Sequence, residues 1–516
     1  MMLLKLKVFV TLTTLIVSTI ESQLLEDPSP YNFPILQNGS LADSGQFPMP
    51  LCNGFKLEEA SIDQLQSALS NGTLTSVQIV MCYLERIYQT DEYIRTVMQI
   101  NPEFIQIASA LDHERKLGNL RGPLHGIPFL VKDNIATKDK LETTAGSWML
   151  LGSIVPRDAH VVKRLREAGA ILMGHATLSE WADMRSNSYS EGYSARGGQC
   201  RSPYNLTTTP GGSSSGSASA VSANIVSFAL GTETDGSVIN PAERNGIVGI
   251  KPTVGLTSRD GVIPESHNQD TVGCFGKTVR DATYCLDGIY GPDPRDNYTL
   301  VQKGPADEAA GATIINGTEL PYWQTIISQE GWDWDYGTTR GYPNESEYTY
   351  VAVDFYNDIV KYLADLNNTD IRTVEDIVQY NIDNAGSEGG LPGIHPAFKS
   401  GQDGFLASLA TGGVMNETYW EALNFCHRTT REDGIDAALY NNGTQLTALL
   451  VPPDVGVSPV DGMPFGLALM GTAWSEASLV KYASAIEDLQ QSLVGFKQKR
   501  TSPLWYDYRA KNVPII

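Results

Sequence analysis

Residues 211–253 read GGSSSGSASAVSANIVSFALGTETDGSVINPAERNGIVGIKPT, and the reading of this stretch decides the fold. A Gly/Ser turn opens it, and a small-residue helical segment follows over 217–224. A β-like run over 225–230 then leads into a second turn, GTETDGS at 231–237. The two turns set Ser213 and Ser237 24 residues apart. Glycine permits close backbone approach and positive φ, and serine serves as nucleophile or proton relay. Two such turns predict a site built from backbone amides and hydroxyls.

The surrounding sequence alternates helix and strand. Thr75 with Gln78 forms a capping box, and Val77, Val80, Met81, Leu84 and Ile87 fall on one helical stripe. A second helix is expected over 102–117. The turn GPLHGIP (122–128) feeds FLVKD (129–133), a short buried strand that runs into Lys132. Asp158 stands where it would cap a helix through Glu167, and Gly169 ends that helix before a strand at 170–173. The alternation runs to about residue 291 and predicts an α/β layered domain, a central mixed sheet flanked by helices. Residues 296–350 are irregular, acidic and Gly-rich, the composition of a surface insertion. Helices are expected again over 351–364 and 417–440, strands at 448–451 and 466–470, and a last helix over 475–493.

Of the 516 residues, 41% are hydrophobic and 19% charged, enough for a substantial core. The net charge of −22 argues against a nucleic-acid partner, which requires a basic surface. Lys5 and Lys7 precede an apolar run over 8–20, and Ser22 offers a small residue before a cleavage point. Residues 1–22 therefore read as a secretory signal peptide, with a signal anchor as the alternative. No later segment is long and apolar enough to predict a membrane span after cleavage. Residues 23–54 read as an extended Pro/Gly/Asn/Ser arm, and 55–516 as one large domain. N-x-S/T sequons begin at Asn38, Asn71, Asn205, Asn297, Asn316, Asn344, Asn367, Asn416 and Asn442. With the signal peptide they predict a secreted glycoprotein. The six cysteines (Cys52, Cys82, Cys200, Cys274, Cys285, Cys426) would then meet an oxidising compartment, and their spacing leaves about 15 pairings open.

Several chemistries compete for these motifs. Spacing alone makes Lys132 a strand end that reaches solvent; burial would instead depress its pKa and make it a base. The run from Gly212 to Gly216 matches a G-x-S-x-G elbow, but TTTP (207–210) is a poor strand before it and no late histidine is suitably placed. The Gly/Ser turn lacks the Gly-Lys-Ser/Thr ending of a phosphate loop. Glu233 and Asp235 read as capping or solvated groups, and no histidine stands close enough in sequence to predict a metal site.

Taken together, GPLHGIPFLVKDNI (122–135), TTAGS (143–147), DAHVVKRLREAGAILMGHATLSEW (158–181), GGSSSGS, GTETDGS and GIVGIKPTVGLTSRDGVIP (246–264) resemble the amidase signature family of serine hydrolases. The resemblance spans about 57–291 and returns near 462. The Ser-Ser-Ser variant, ARGGQ (195–199), GTETDGS and SRDGVIP look most like its peptide amidase branch, which cleaves C-terminal carboxamides of peptides. The resemblance implies a Ser-Ser-Lys triad: Ser237 as nucleophile, Ser213 after a cis peptide bond as bridging serine, and Lys132 as base. It implies an oxyanion hole from the backbone N–H groups of Thr234, Asp235, Gly236 and Ser237, with Ser214 and Ser215 as supporting hydrogen-bond groups. It implies an acyl-enzyme, a small-molecule or peptide amide substrate, and no metal or organic cofactor.

Two departures bear on this. Family members acting on carboxylate-bearing substrates carry an arginine shortly after the nucleophile, and Ser237-Val-Ile-Asn-Pro241 has none. Residues 453–461 replace a longer family segment that contains a further strand. Alternatives are therefore a general amide or ester hydrolase of the same mechanism, or an inactive secreted binding protein.

Overall fold

The computed structural model describes residues 47–302, 318, 320–322, 343–441, 443–451, 466–492, 503 and 514–515. The chain divides into two units, Met1–Gln46 and Phe47–Ile516, and the sheet, its covering helices and the candidate site all belong to the second. The expected signal peptide, most of the arm, Asn38, Asn316, Asn442, much of the 296–350 insertion and the 453–461 connection lie outside the described residues.

The strands are β1 Val97–Ile100, β2 Pro128–Lys132, β3 Ile171–Ala176, β4 Tyr193–Ser194, β5 Gly198–Gln199, β6 Phe228–Glu233, β7 Val248–Ile250 and β8 Thr271–Gly276. Six of them form one sheet in the order β1-β3-β2-β6-β8-β7. β2 runs parallel to both β3 and β6, whereas β1, β8 and β7 pair antiparallel to their neighbours, so the sheet is mixed as expected. Every residue of β2, β3, β6 and β8 is buried, which is why these strands read as near-continuous apolar runs without alternation. Phe129 and Phe228 stack across the central pair with ring centroids 5.3 Å apart. Short strands β9 Tyr440–Asn441 with β10 Thr444–Gln445, and β11 Leu449–Val451 with β12 Ala468–Met470, form separate two-stranded pairs.

Helices cover the sheet: α1 Ile62–Ser70, α2 Ser76–Ile94, α3 Phe104–Lys116, α4 His160–Glu167, α5 Ser215–Ser222, α6 Ile239–Arg244 and α7 Val279–Ile289. Further along the chain come α8 Glu347–Asp365, α9 Val374–Asp383, α10 Ala385–Glu388, α11 Asp403–Thr411, α12 Glu417–His427 and α13 Glu476–Ser492. Among the described residues, no helix is long and apolar enough to cross a membrane.

The Thr75–Gln78 capping box forms as expected. The buried face of α2 differs from the apolar stripe: Ile79, Val80, Tyr83, Arg86, Ile87 and Thr90 are buried, and Met81 is exposed. Arg86 and Tyr83 go inward because partners wait there: Arg86 Nε donates to the Ala223 carbonyl (2.9 Å), and Tyr83 Oη meets Ser227 Oγ (3.1 Å). Asp158 does not cap α4. Its carboxylate accepts from the Lys138 N–H (2.7 Å) and pairs with Arg166 (3.1 Å), and Ala159 stands at the cap. The strand expected at 225–230 lies three residues later, because 223–227 turns the chain out of α5. The helix expected over 417–440 is α-helical to His427 and then widens to a π-helical stretch, Arg428–Asp436.

Two cysteine pairs form, Cys52–Cys82 and Cys274–Cys285, while Cys200 and Cys426 are free and buried. Of the described sequons, those at Asn71, Asn297, Asn344, Asn367 and Asn416 start on exposed residues. Asn205 is the exception: it is buried, and its side-chain oxygen accepts from the N–H (2.9 Å) and hydroxyl (2.8 Å) of Thr207. It is withdrawn as a glycan site, since an acceptor amide must be reachable.

Candidate active site

Lys132 ends β2 in the middle of the sheet and has no solvent exposure, so the solvent-reaching reading of its position is wrong. Its Nζ donates to Ser213 Oγ (2.7 Å), to Thr232 Oγ1 (2.9 Å) and to the Thr232 carbonyl (3.2 Å). Ser213 Oγ in turn lies 2.8 Å from Ser237 Oγ. A continuous hydrogen-bonded line therefore joins three side chains that lie far apart in sequence, and all three are buried. Burial pushes the Lys132 ammonium down to about 8, against the opposing pull of Glu265, Asp183, Glu233 and Asp270.

Parallel pairing of β2 with β6 explains why these groups meet. It sets the C-terminal ends of both strands side by side, and Thr232 on β6 reaches Lys132 on β2. The Gly/Ser turn before α5 packs above those ends. Its Gly212–Ser213 peptide bond is cis, as the resemblance implied. A Cβ on Gly212 would collide with Glu191 Oε1 and Ser179 Oγ, so any larger residue here must push those side chains aside. The Ser213 carbonyl accepts from the Ser179 N–H (3.0 Å), and the Gly212 N–H reaches Asn240 Oδ1 (3.2 Å).

Ser214 and Ser215 stand off the line and brace it. Ser214 Oγ donates to the Thr232 carbonyl (3.1 Å), and Ser215 Oγ donates to the Gly211 carbonyl (2.7 Å). Glu233 does cap: its Oε2 accepts from the N–H groups of Val238 (2.6 Å) and Ile239 (2.9 Å), immediately after Ser237. That capping turns the 234–237 segment, and among the described residues the N–H groups of Gly236 and Ser237 donate to no acceptor. Gly236 takes a positive φ of 74° in this turn.

Several residues escaped the sequence reading. Thr232 lay inside GTETDGS without a stated role. Asp133 follows the lysine and holds TTAGS from below: its Oδ2 accepts from Thr144 Oγ1 (2.6 Å) and the Gly146 N–H (3.0 Å), and its Oδ1 meets His175 Nδ1 (2.7 Å). Asn134 Nδ2 donates to Thr232 Oγ1 (3.0 Å). Glu265 and Asp270 both reach Thr234 from the loop before β8. No local sequence signal marks these contacts, because every partner is supplied by a different element. Among the described residues, no group of three or more His, Cys, Asp or Glu is arranged to hold a metal ion.

Comparison with known proteins gives a consistent result. Residues 78–324 match the family model described as Amidase. A protein of Schizosaccharomyces pombe whose name assigns it to the amidases is 52% identical, covering 91% of this chain and 90% of its own. A protein of Arabidopsis thaliana named in the same way is 38% identical, covering 85% and 91%. The native peptide amidase of Stenotrophomonas maltophilia superimposes with a TM-score of 0.74 at 34% identity, covering 89% of this chain and all of that one. With this sequence similarity, spread over nearly the whole length, and this mixed sheet, the chain belongs to the amidase signature family and is an amidase.

Proposed function

We propose that the protein hydrolyses carboxamides through a Ser237 acyl-enzyme, with Ser213 as relay and Lys132 as base. The observation that carries this reading is the line Lys132 Nζ–Ser213 Oγ–Ser237 Oγ, with steps of 2.7 and 2.8 Å. Neutral Lys132 accepts the Ser213 proton while Ser213 accepts the Ser237 proton, and Ser237 Oγ attacks the amide carbon. The carbonyl oxygen becomes an oxyanion held by backbone N–H groups of the 234–237 turn. The proton returns through Ser213 to the leaving nitrogen, the C–N bond breaks, and the amine departs. Water then attacks the ester by the same relay and releases the carboxylic acid. The depressed Lys132 pKa supports this role, since a base must be neutral near working pH.

The substrate in this reading is an amide without a free carboxylate beside the scissile bond, with peptide C-terminal carboxamides as the leading class. Two observations favour it. Ser237-Val-Ile-Asn-Pro241 offers no arginine, and Glu233 and Asp270 are among the acidic groups that act on Lys132. Acidic surroundings repel a carboxylate that lacks a cationic partner. The likeness to peptide amidase supports the same class. The test is ammonia release from peptide C-terminal amides against release from free glutamine. The peptide amides should be preferred, and a preference for glutamine would overturn the assignment. The N-terminal apolar run and the exposed sequons support the secretory pathway as the compartment of this reaction.

A further inference from the structure

Behind the 234–237 turn, one hydroxyl meets two carboxyl groups. Thr234 Oγ1 lies 2.9 Å from Glu265 Oε1 and 2.7 Å from Asp270 Oδ1. Both are hydrogen-bond lengths, yet a threonine hydroxyl carries one hydrogen. The other contact needs a hydrogen that the carboxyl group itself brings. Asp270 has the surroundings of an anion: its oxygens accept from the N–H groups of Glu265 (2.9 Å) and Ser266 (3.1 Å). The Glu265 carboxyl has Thr234 as its one hydrogen-bond partner among the described residues.

We propose that Glu265 is a positioning residue that works as a neutral carboxylic acid. Its O–H donates to Thr234 Oγ1, Thr234 Oγ1–H donates to Asp270, and the chain fixes the 234–237 turn without adding charge beside Lys132. This rests on the reading of that turn as the oxyanion hole and of Lys132 as the base. The charged and titratable groups facing Glu265 are Asp270 on its own loop, Asp235 on the turn, Asp183 at Glu180–Asp183, Lys132 on β2 and Tyr348 on α8. Arg259 lines the same small cavity, but its guanidinium is bound to Asp296 (2.8 and 2.7 Å). Glu265 is half-buried as a residue, but desolvation of its carboxyl, then Asp270 and Asp235, raise it well above the usual range. The loop is tied to α8 beside this contact: Ser266 Oγ donates to Asp354 (2.5 Å) and His267 Nδ1 meets Asp358 (2.7 Å).

The test compares the full chain with Glu265→Gln, which keeps a neutral donor, and Glu265→Leu, which has none. The infrared difference between wild type and Glu265→Gln at pH about 7 should contain the carbonyl stretch of a protonated carboxyl, far above the ordinary glutamate pKa of about 4.3. Absence of that band overturns the proposal whether or not Lys132 is the base. Glu265→Gln should keep kcat within about threefold, with the acid limb of kcat/KM unmoved. A downward displacement of that limb by about half a pH unit or more means that an anion was removed from beside Lys132, and also overturns it. Glu265→Leu should lose about tenfold or more in kcat with little change in KM, less than the 10²–10³ of a deleted oxyanion donor. Wild-type kcat in a folded Glu265→Leu protein rejects the positioning role. If the infrared band is present but Lys132→Ala stays active, the catalytic reading fails and the protonation of Glu265 stands.

Discussion

Lys132 meets Thr232 twice, at the hydroxyl (2.9 Å) and at the carbonyl oxygen (3.2 Å). A neutral amine has two hydrogens and one lone pair. With both hydrogens directed at Thr232, the lone pair faces Ser213 Oγ at 2.7 Å. Thr232→Val removes one of those acceptors and strands Asn134 Nδ2, which donates to the same hydroxyl. Its kcat should fall by roughly 10- to 100-fold, with KM less affected, because a general base contributes about 10²–10⁴ and here is misaimed, not lost. Steady-state kinetics on a peptide amide measures the split.

Ser237→Ala should abolish turnover and labelling by a serine-reactive covalent probe. Ser213→Ala should retain folding and lose most of the rate, since the remaining Lys132 cannot reach Ser237 through a hydroxyl. Intact-mass spectrometry after probe treatment checks both, and labelling of folded Ser237→Ala at the same rate as wild type would disprove the nucleophile.

Catalysis should strengthen as pH rises through about 8, the value to which burial lowers Lys132. The sign comes from the base having to be neutral. Stability has a related dependence. A lysine depressed below its unfolded value of about 10.5 costs stability at pH below 8, and the cost disappears as pH rises toward 10.5. A pH–rate profile whose activity declines across this interval would contradict the assignment.

Gly212→Ala introduces a Cβ into Glu191 and Ser179. Overpacking at a tight site typically costs about 1–3 kcal/mol, and here it also displaces the Ser213 hydroxyl. Chemical denaturation should register the first effect and kcat the second. Wild-type activity in this variant would show that the turn tolerates displacement.

His267 on the loop before β8 is hydrogen-bonded to Asp358 on α8 (2.7 Å), which raises its pKa. A raised folded value means that its stabilisation is complete below the unfolded pKa of about 6.5 and is lost as pH climbs through the folded one. His267→Gln should therefore be more destabilising at mildly acidic than at alkaline pH. Thermal unfolding across that range reads the difference, and an equal loss at both ends would exclude the charged pair.

Much of the architecture was legible because it rests on local rules. The Thr75–Gln78 box, Gly169 closing α4 and the apolar run of β2 each carry their cause within a few residues. Where the cause was distant, the reading slipped. Arg86 is buried because Ala223 offers a carbonyl, and Asp158 leaves its cap for Lys138 and Arg166. Asn205 satisfies every requirement of a sequon except accessibility.

The sequence by itself determined the family pattern, the two serines at fixed spacing, and the glycines that let their turns approach other backbone. Only the tertiary structure decided what Lys132 is. In sequence it is a cation after a strand; in the fold, pairing of β2 with β6 buries it and aims it at Ser213. Glu265 obeys the same logic, because its partner Thr234 lies on a different turn and the competing carboxyl belongs to Asp270. Protonation depends on burial and on neighbouring charge, and neither exists until the chain has folded.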